Sequence, residues 1–93
     1  MQGGLDRNAA GVYICGMGKR RDQRKALKLL GDNLYQLRWN AQMRQEELAQ
    51  RSGISRVTIS GIERGVVDPH VSTLVALAAG IGVHVTLLLL EEE

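Results

Sequence analysis

At 93 residues the chain has room for one domain and one modest core, too little for a catalytic cleft together with the scaffold around it. Apolar residues make up 44% of the chain but aromatics only 3%, so the core must be built from Leu, Ile, Val and Ala, which favours packed helices over a sandwich or barrel. The net charge of +2 hides an asymmetry: all 12 lysines and arginines, against 6 of the 10 acids, precede Gly65, and no base follows it. That distribution suits a protein with one face turned toward a polyanion.

The single cysteine, Cys15, makes no intramolecular disulfide possible, so an oxidising compartment is not required. No apolar run approaches the roughly 20 residues of a membrane span, and the N-terminus lacks the ordered regions of a secretory signal. The expected location is cytoplasmic.

Residues 1–24 read as a glycine-rich and basic extension with little order of its own. Gly3, Gly4, Gly11, Gly16 and Gly18 fall in its first part, and its one apolar cluster is Val12-Tyr13-Ile14-Cys15. That cluster could pair as an edge strand, dock on the core or stay disordered. Lys19 to Lys25 then places five bases in seven residues. They form either a solvated lead-in to a helix or an arm that lies along phosphates.

The folded domain is expected over residues 25–93. From Lys25 the pattern turns helical, with Leu27, Leu30, Leu34, Leu37 and Ala41 recurring at spacings of three and four. A break near Gln42-Met43 precedes a short helix over residues 45–52, which stops at Gly53. Ser55 can cap a further helix that turns Ile59 and Ile62 inward and ends at Gly65. Pro69 introduces another near Val71, with Leu74, Leu77, Ala78 and Ile81 inward and Gly80 and Gly82 closing it. The tail Val83–Leu90 combines a β-branched start with leucines, and periodicity does not decide between strand and helix over so few residues.

The informative stretch is Gln45–Arg64, a helix, a tight turn and a second helix. Ala49 is small where the two helices cross, and Gly53 suits a turn that needs positive φ. Leu48, Ile54, Ile59 and Ile62 supply an apolar seam. A helix held this way can present its N-terminal end to a major groove.

From about Leu34 to Leu88 the chain resembles the phage-repressor and Cro-like, or XRE-type, helix-turn-helix proteins. The resemblance is carried by Leu37-Arg38, Gln45-Glu46-Glu47-Leu48-Ala49, Gly53-Ile54-Ser55, Ile59-Ser60-Gly61-Ile62-Glu63-Arg64-Gly65, Pro69 and Thr73-Leu74. It implies an all-α fold, a compact bundle of four or five helices. The second and third of these form the DNA-reading unit.

The same resemblance assigns roles. Gln45 would bond a phosphate through its side chain and the helix N-terminus. Ser55, Arg56, Val57, Thr58, Ser60 and Gly61 would lie on the exposed or N-terminal part of the reading helix, with Arg56, Val57 and Gly61 at base-facing positions. Arg64 would contact a phosphate. Arg56 has the donors to pair with the O6 and N7 of a guanine, and Val57 can pack on a thymine methyl. Gly61 offers a base nothing, so it either permits a close approach or is simply tolerated. Arg38 and Glu63 would form a partly buried ion pair joining the first helix to the end of the third.

Three departures stand out. Gln42 occupies a turn where the family usually has Gly. Arg44 occupies a cap usually held by Ser or Thr, and His70 likewise replaces a small polar cap. Trp39 is expected to be a half-buried packing residue. Cys15, His70 and His84 lack metal-ligand spacing, and no nucleophile has a base beside it, so neither a metal, a cofactor nor an enzymatic activity is expected.

The expected function is sequence-specific binding of double-stranded DNA by a homodimeric transcriptional regulator. An inverted-repeat operator and repression are expected, with the leucine-rich C-terminal segment as dimer interface. The alternative is the antitoxin of a toxin–antitoxin pair, binding a toxin protein while repressing its own promoter.

Overall fold

Leu30 and Leu34, one helical turn apart, are buried to 4% and 0% exposure, and they anchor the first element to the rest of the molecule. The computed structural model describes residues 20–91, and the reading of the glycine-rich stretch up to Lys19, including Val12–Cys15, falls outside them. Helix α1 spans Arg20–Asn40, α2 Gln45–Ser52, α3 Arg56–Glu63 and α4 Val71–Ile81, followed by a 3-10 turn, Val85–Leu88. The expected all-α architecture is what the described residues form. Helix α1 already begins at Arg20 rather than at Lys25, so the last bases of the charged run lie on its first turns.

One aliphatic core joins all five elements. It consists of Leu30, Leu34, Met43, Leu48, Ile59, Ile62, Leu74, Leu77, Ala78 and Leu88, with Leu37, Ala49, Ile54, Val67, Ile81, Val83 and Val85 packed around it. Fully burying one such side chain is worth about 1.5–3 kcal/mol. Helix α4 packs against α2, α1 against α3, and the final turn against both α1 and α4.

Close approach is set by small residues. A Cβ on Gly31 would lie 2.5 Å from the carbonyl oxygen of Ile62 and 2.7 Å from that of Glu63, so only glycine lets α1 cross the C-terminal end of α3 at this distance. Gly80 corrects an expectation: it does not close α4 but lies inside it, buried, where a Cβ would meet Leu48 at 3.1 Å and Ser52 at 3.2 Å. Gly82 is the residue that ends α4, its N–H donating to the Ala78 carbonyl.

The tail is neither a strand nor an α-helix. Its 3-10 turn buries Leu88 completely. The Asn33 side-chain amide, on α1, donates to the carbonyls of Leu88 at 2.8 Å and Leu90 at 2.9 Å. His84 Nδ1 accepts from the Thr86 N–H at 3.2 Å, closing the start of the turn. Leu87, Leu89 and Leu90 stay 39%, 56% and 52% exposed. Among the described residues no helix is long and apolar enough to cross a membrane.

Candidate nucleic-acid interface

The start of α3 is organised by its own sequence. Ser55 is extended, and its hydroxyl accepts from the Thr58 N–H at 3.2 Å while donating to Thr58 Oγ1 at 2.9 Å. This cap satisfies one of the open donors of the first turn. With Ile59 and Ile62 fully buried, the helix must turn Arg56 and Val57 outward, and Val57 is 71% exposed. Thr58 and Ser60 are half-buried at the flanks, and Arg64 is exposed just beyond the last turn. An exposed apolar Val57 beside a cation is poor design for solvent alone but fits a groove that offers both acceptors and methyl groups.

Gly61 does not join this exposed row. It lies one turn after Val57 on the same side of α3 but is covered there, and an added Cβ would lie 2.4 Å from Val67 Cγ2. The segment that follows α3, Val66 and Val67, folds back over this position. Its place is explained by the close approach of Val67, and it is not positioned to face a base.

Helix α2 starts differently. Arg44, at its N-cap, makes no capping hydrogen bond with its side chain. Gln42 takes a left-handed conformation, φ 59°, in the turn before it, the conformation that glycine adopts without a steric cost. Gly53 ends α2 in the same conformation, φ 78°, its N–H donating to the Ala49 carbonyl. The His70 side chain likewise makes no capping bond at the start of α4.

What holds the start of α2 is a buried polar network. The Arg38 and Glu63 side chains are 9% and 7% exposed and pair bidentately, Nε to Oε2 at 2.7 Å and Nη2 to Oε1 at 3.1 Å. Arg38 Nη1 also donates to the Met43 carbonyl at 2.8 Å, in the turn after Gln42. The hydrogen-bonded Glu63 carboxylate holds the Arg38 guanidinium above its ordinary pKa despite the burial that opposes its charge.

Gln45 links this network to the reading helix. Its Nε2 donates to Glu63 Oε1 at 3.0 Å, and its Oε1 accepts from Arg56 Nη1 at 3.4 Å. The Glu63 carboxylate accepts only, so it dictates which end of the Gln45 amide faces Arg56. The structure thus brings Arg38, Glu63, Gln45 and Arg56 into one chain of contacts, although these residues are spread over α1, α2 and α3. Sequence reasoning placed Gln45 at a phosphate and did not anticipate these two bonds. Nor did it find the Met43 carbonyl, because a backbone acceptor leaves no mark in the sequence.

Trp39 also departs from expectation. It is 62% exposed and stacks on Tyr35, ring centroids 6.1 Å apart and planes within 6°. The Arg38 guanidinium lies 5.4 Å from the Tyr35 ring centroid. Among the described residues no group of three or more His, Cys, Asp or Glu side chains gathers as metal ligands would.

The HTH_3 helix-turn-helix family model matches residues 34–88, from the middle of α1 to the end of the final turn. The chain belongs to the HTH_3, XRE-type, helix-turn-helix family. It is 46% identical over 61 residues to the uncharacterized HTH-type transcriptional regulator y4dJ of Sinorhizobium fredii, covering 64% of this chain and 79% of that protein. It is 36% identical over 72 residues to antitoxin HigA1 of Mycobacterium tuberculosis. That match covers 77% of this chain but 48% of the antitoxin, so the chain spans about half that relative's length. Among solved structures, the restriction-modification controller protein C.AhdI from Aeromonas hydrophila superposes with a TM-score of 0.65 at 31% identity. The superposition covers 67% of this chain and 94% of C.AhdI. The protein is therefore a DNA-binding helix-turn-helix regulator, with α2 and α3 as its helix-turn-helix.

Proposed function

We propose that the protein acts in the cytoplasm as a homodimeric repressor that reads an inverted-repeat operator with α3. The observation that carries this reading is the start of α3. Ser55 caps the helix, Ile59 and Ile62 are buried behind it, and Arg56 and Val57 project from its first turn. In this reading Arg56 selects a guanine and Val57 a neighbouring thymine. Ser55, Thr58 and Ser60 contact the strand beside them, and Gln45 and Arg64 contact phosphates.

A single α3 reaches only a few base pairs, and a two-fold dimer doubles the contacts at half-sites about 34 Å apart. Leu87, Leu89 and Leu90, exposed beside α1, favour the C-terminal segment as the dimer contact. A regulator that occupies a promoter in this way represses by excluding other proteins from the same groove.

The resemblance to antitoxin HigA1 favours a second reading, in which the chain also binds a toxin protein. The exposed leucines and the chain before Arg20 are the candidate contacts in that case.

Selection from a randomised duplex pool at two salt concentrations tests the first reading. An enriched inverted repeat, bound with an affinity that falls steeply with salt, is the expected result. Arg56→Ala should cost about 1–3 kcal/mol at one base pair per half-site and erase the preference there. No enrichment would move the weight to a protein partner, to be sought by pull-down.

A further inference from the structure

Trp39 is the largest exposed apolar side chain among the described residues, and nothing in the assignment of α3 uses it. It is also unusually well held. It stacks on Tyr35, Tyr35 lies against the Arg38 guanidinium, and Arg38 is fixed by two bonds to Glu63 and one to the Met43 carbonyl. An exposed indole mounted on a buried ion pair has little rotamer freedom to lose on contact, the usual cost of using a large side chain for binding.

The turn into α2 connects it to the reading helix. Trp39 lines a shallow groove with Gln42, Met43 and Arg44 at the junction of α1 and α2. Arg44 is exposed and precedes Gln45, whose amide accepts from Arg56. Arg56, Gln45, Arg44 and Trp39 thus follow one another across three helices, from the base-reading end outward.

We propose that Trp39, backed by Tyr35 and flanked by Arg44, is a second contact to the DNA sugar–phosphate strand, just outside the bases that α3 reads. The proposal rests on the DNA-reading function of α3. An indole offers two things a strand can use: an apolar face that packs on a deoxyribose and an Nε1–H that donates to a phosphate oxygen. Arg44 adds the charge that draws that strand into the groove. A contact of this kind carries no base information, so it raises affinity for all sequences and leaves the preference to Arg56.

Trp39 is the only tryptophan in the chain, so tryptophan emission of the unmodified protein, excited beyond the tyrosine band, reports on this position alone. The test titrates the full chain with the enriched duplex and with a scrambled one, following tryptophan emission and, separately, the anisotropy of a labelled duplex. Emission should change on both duplexes and saturate with the anisotropy. Trp39→Leu should weaken both complexes about fivefold, one good contact's worth. It should leave the salt dependence and the selected sequence unchanged, and Trp39→Tyr should recover most of the loss. Arg44→Ala should instead reduce the salt slope by about one.

Trp39 is exposed, so these variants fold, and their unfolding midpoints verify it. Wild-type emission that stays constant while anisotropy saturates overturns the proposal, as does wild-type affinity in Trp39→Leu. A Trp39→Leu protein that loses self-association in sedimentation, with DNA binding falling only in proportion, assigns the ring to a protein contact and also overturns it. Anisotropy that shows no duplex bound by the wild type sinks the DNA-reading function itself, a result that the emission does not enter.

Discussion

Helices α2 and α3 have the same length, eight residues each, and meet in one helix-turn-helix, yet their starts are secured by opposite means. Helix α3 is capped locally, by Ser55 three residues before the N–H it satisfies. Helix α2 has no such cap. Its lead-in contains Gln42 in a left-handed conformation and Arg44 without a capping bond. Its support comes from the neighbouring helices, through Arg38 of α1 to the Met43 carbonyl and through Glu63 of α3 to Gln45, 18 residues away. The first turn of the reading helix therefore draws its capping bond from its own sequence. The helix that positions Gln45 depends on α1 and on the end of α3 being in place.

The largest test of this contrast removes Glu63. Glu63→Ala leaves the Arg38 guanidinium buried without its partner, and the expected loss is about 3–5 kcal/mol in urea unfolding. Gln45 also loses the acceptor that orients it, so Arg56 should become less well directed and base selection less sharp. A loss under 1 kcal/mol would mean that the pair does not hold the start of α2.

Ser55→Ala removes only a local cap and should cost about 1 kcal/mol by the same measurement. Hydrogen exchange should show the loss confined to the first turn of α3. Spread of the exchange into α2 would show that the two starts are coupled and break the comparison.

The smallest effect has the opposite sign. Gln42→Gly relieves a left-handed residue, and the folded protein should gain about 0.5–1 kcal/mol after the added flexibility of the unfolded chain is offset. A raised unfolding midpoint checks it. An unchanged or lowered midpoint would show that the Gln42 side chain makes up for its backbone strain.

Much of the site was legible because helix-turn-helix geometry is written locally. The spacing of Leu48, Ile59 and Ile62, the turn at Gly53 and the cap at Ser55 each act within a few residues, so their order announces the motif. Arg38 and Glu63 were paired by resemblance, but that the pair is bidentate and almost fully buried was not part of that expectation. Other features were hidden. The need for glycine at position 31 was one of them, because nothing near Gly31 in the sequence reveals that the carbonyls of Ile62 and Glu63 cross at that point. Gly61 was expected to be exposed and is covered, because Val67 approaches it from beyond the helix. Trp39 was expected to pack, and only the positions of Tyr35 and Arg38 decide that it stands outward. The tail stayed ambiguous because its shape depends on Asn33, 55 residues away from Leu88.

By itself the sequence determined the four helical segments, the stop at Gly53, the cap at Ser55 and the aliphatic core, since each follows from periodicity, chain stereochemistry or the burial of apolar side chains over short range, while the placing of Arg56 and Val57 came from the resemblance. Only the tertiary structure decided how α1 crosses α3, which end of the Gln45 amide faces Arg56, and that the last leucines turn back on α1. Those outcomes depend on hydrogen bonds and close contacts between residues 18 to 57 positions apart. Such partners have no neighbour relation until the chain has folded.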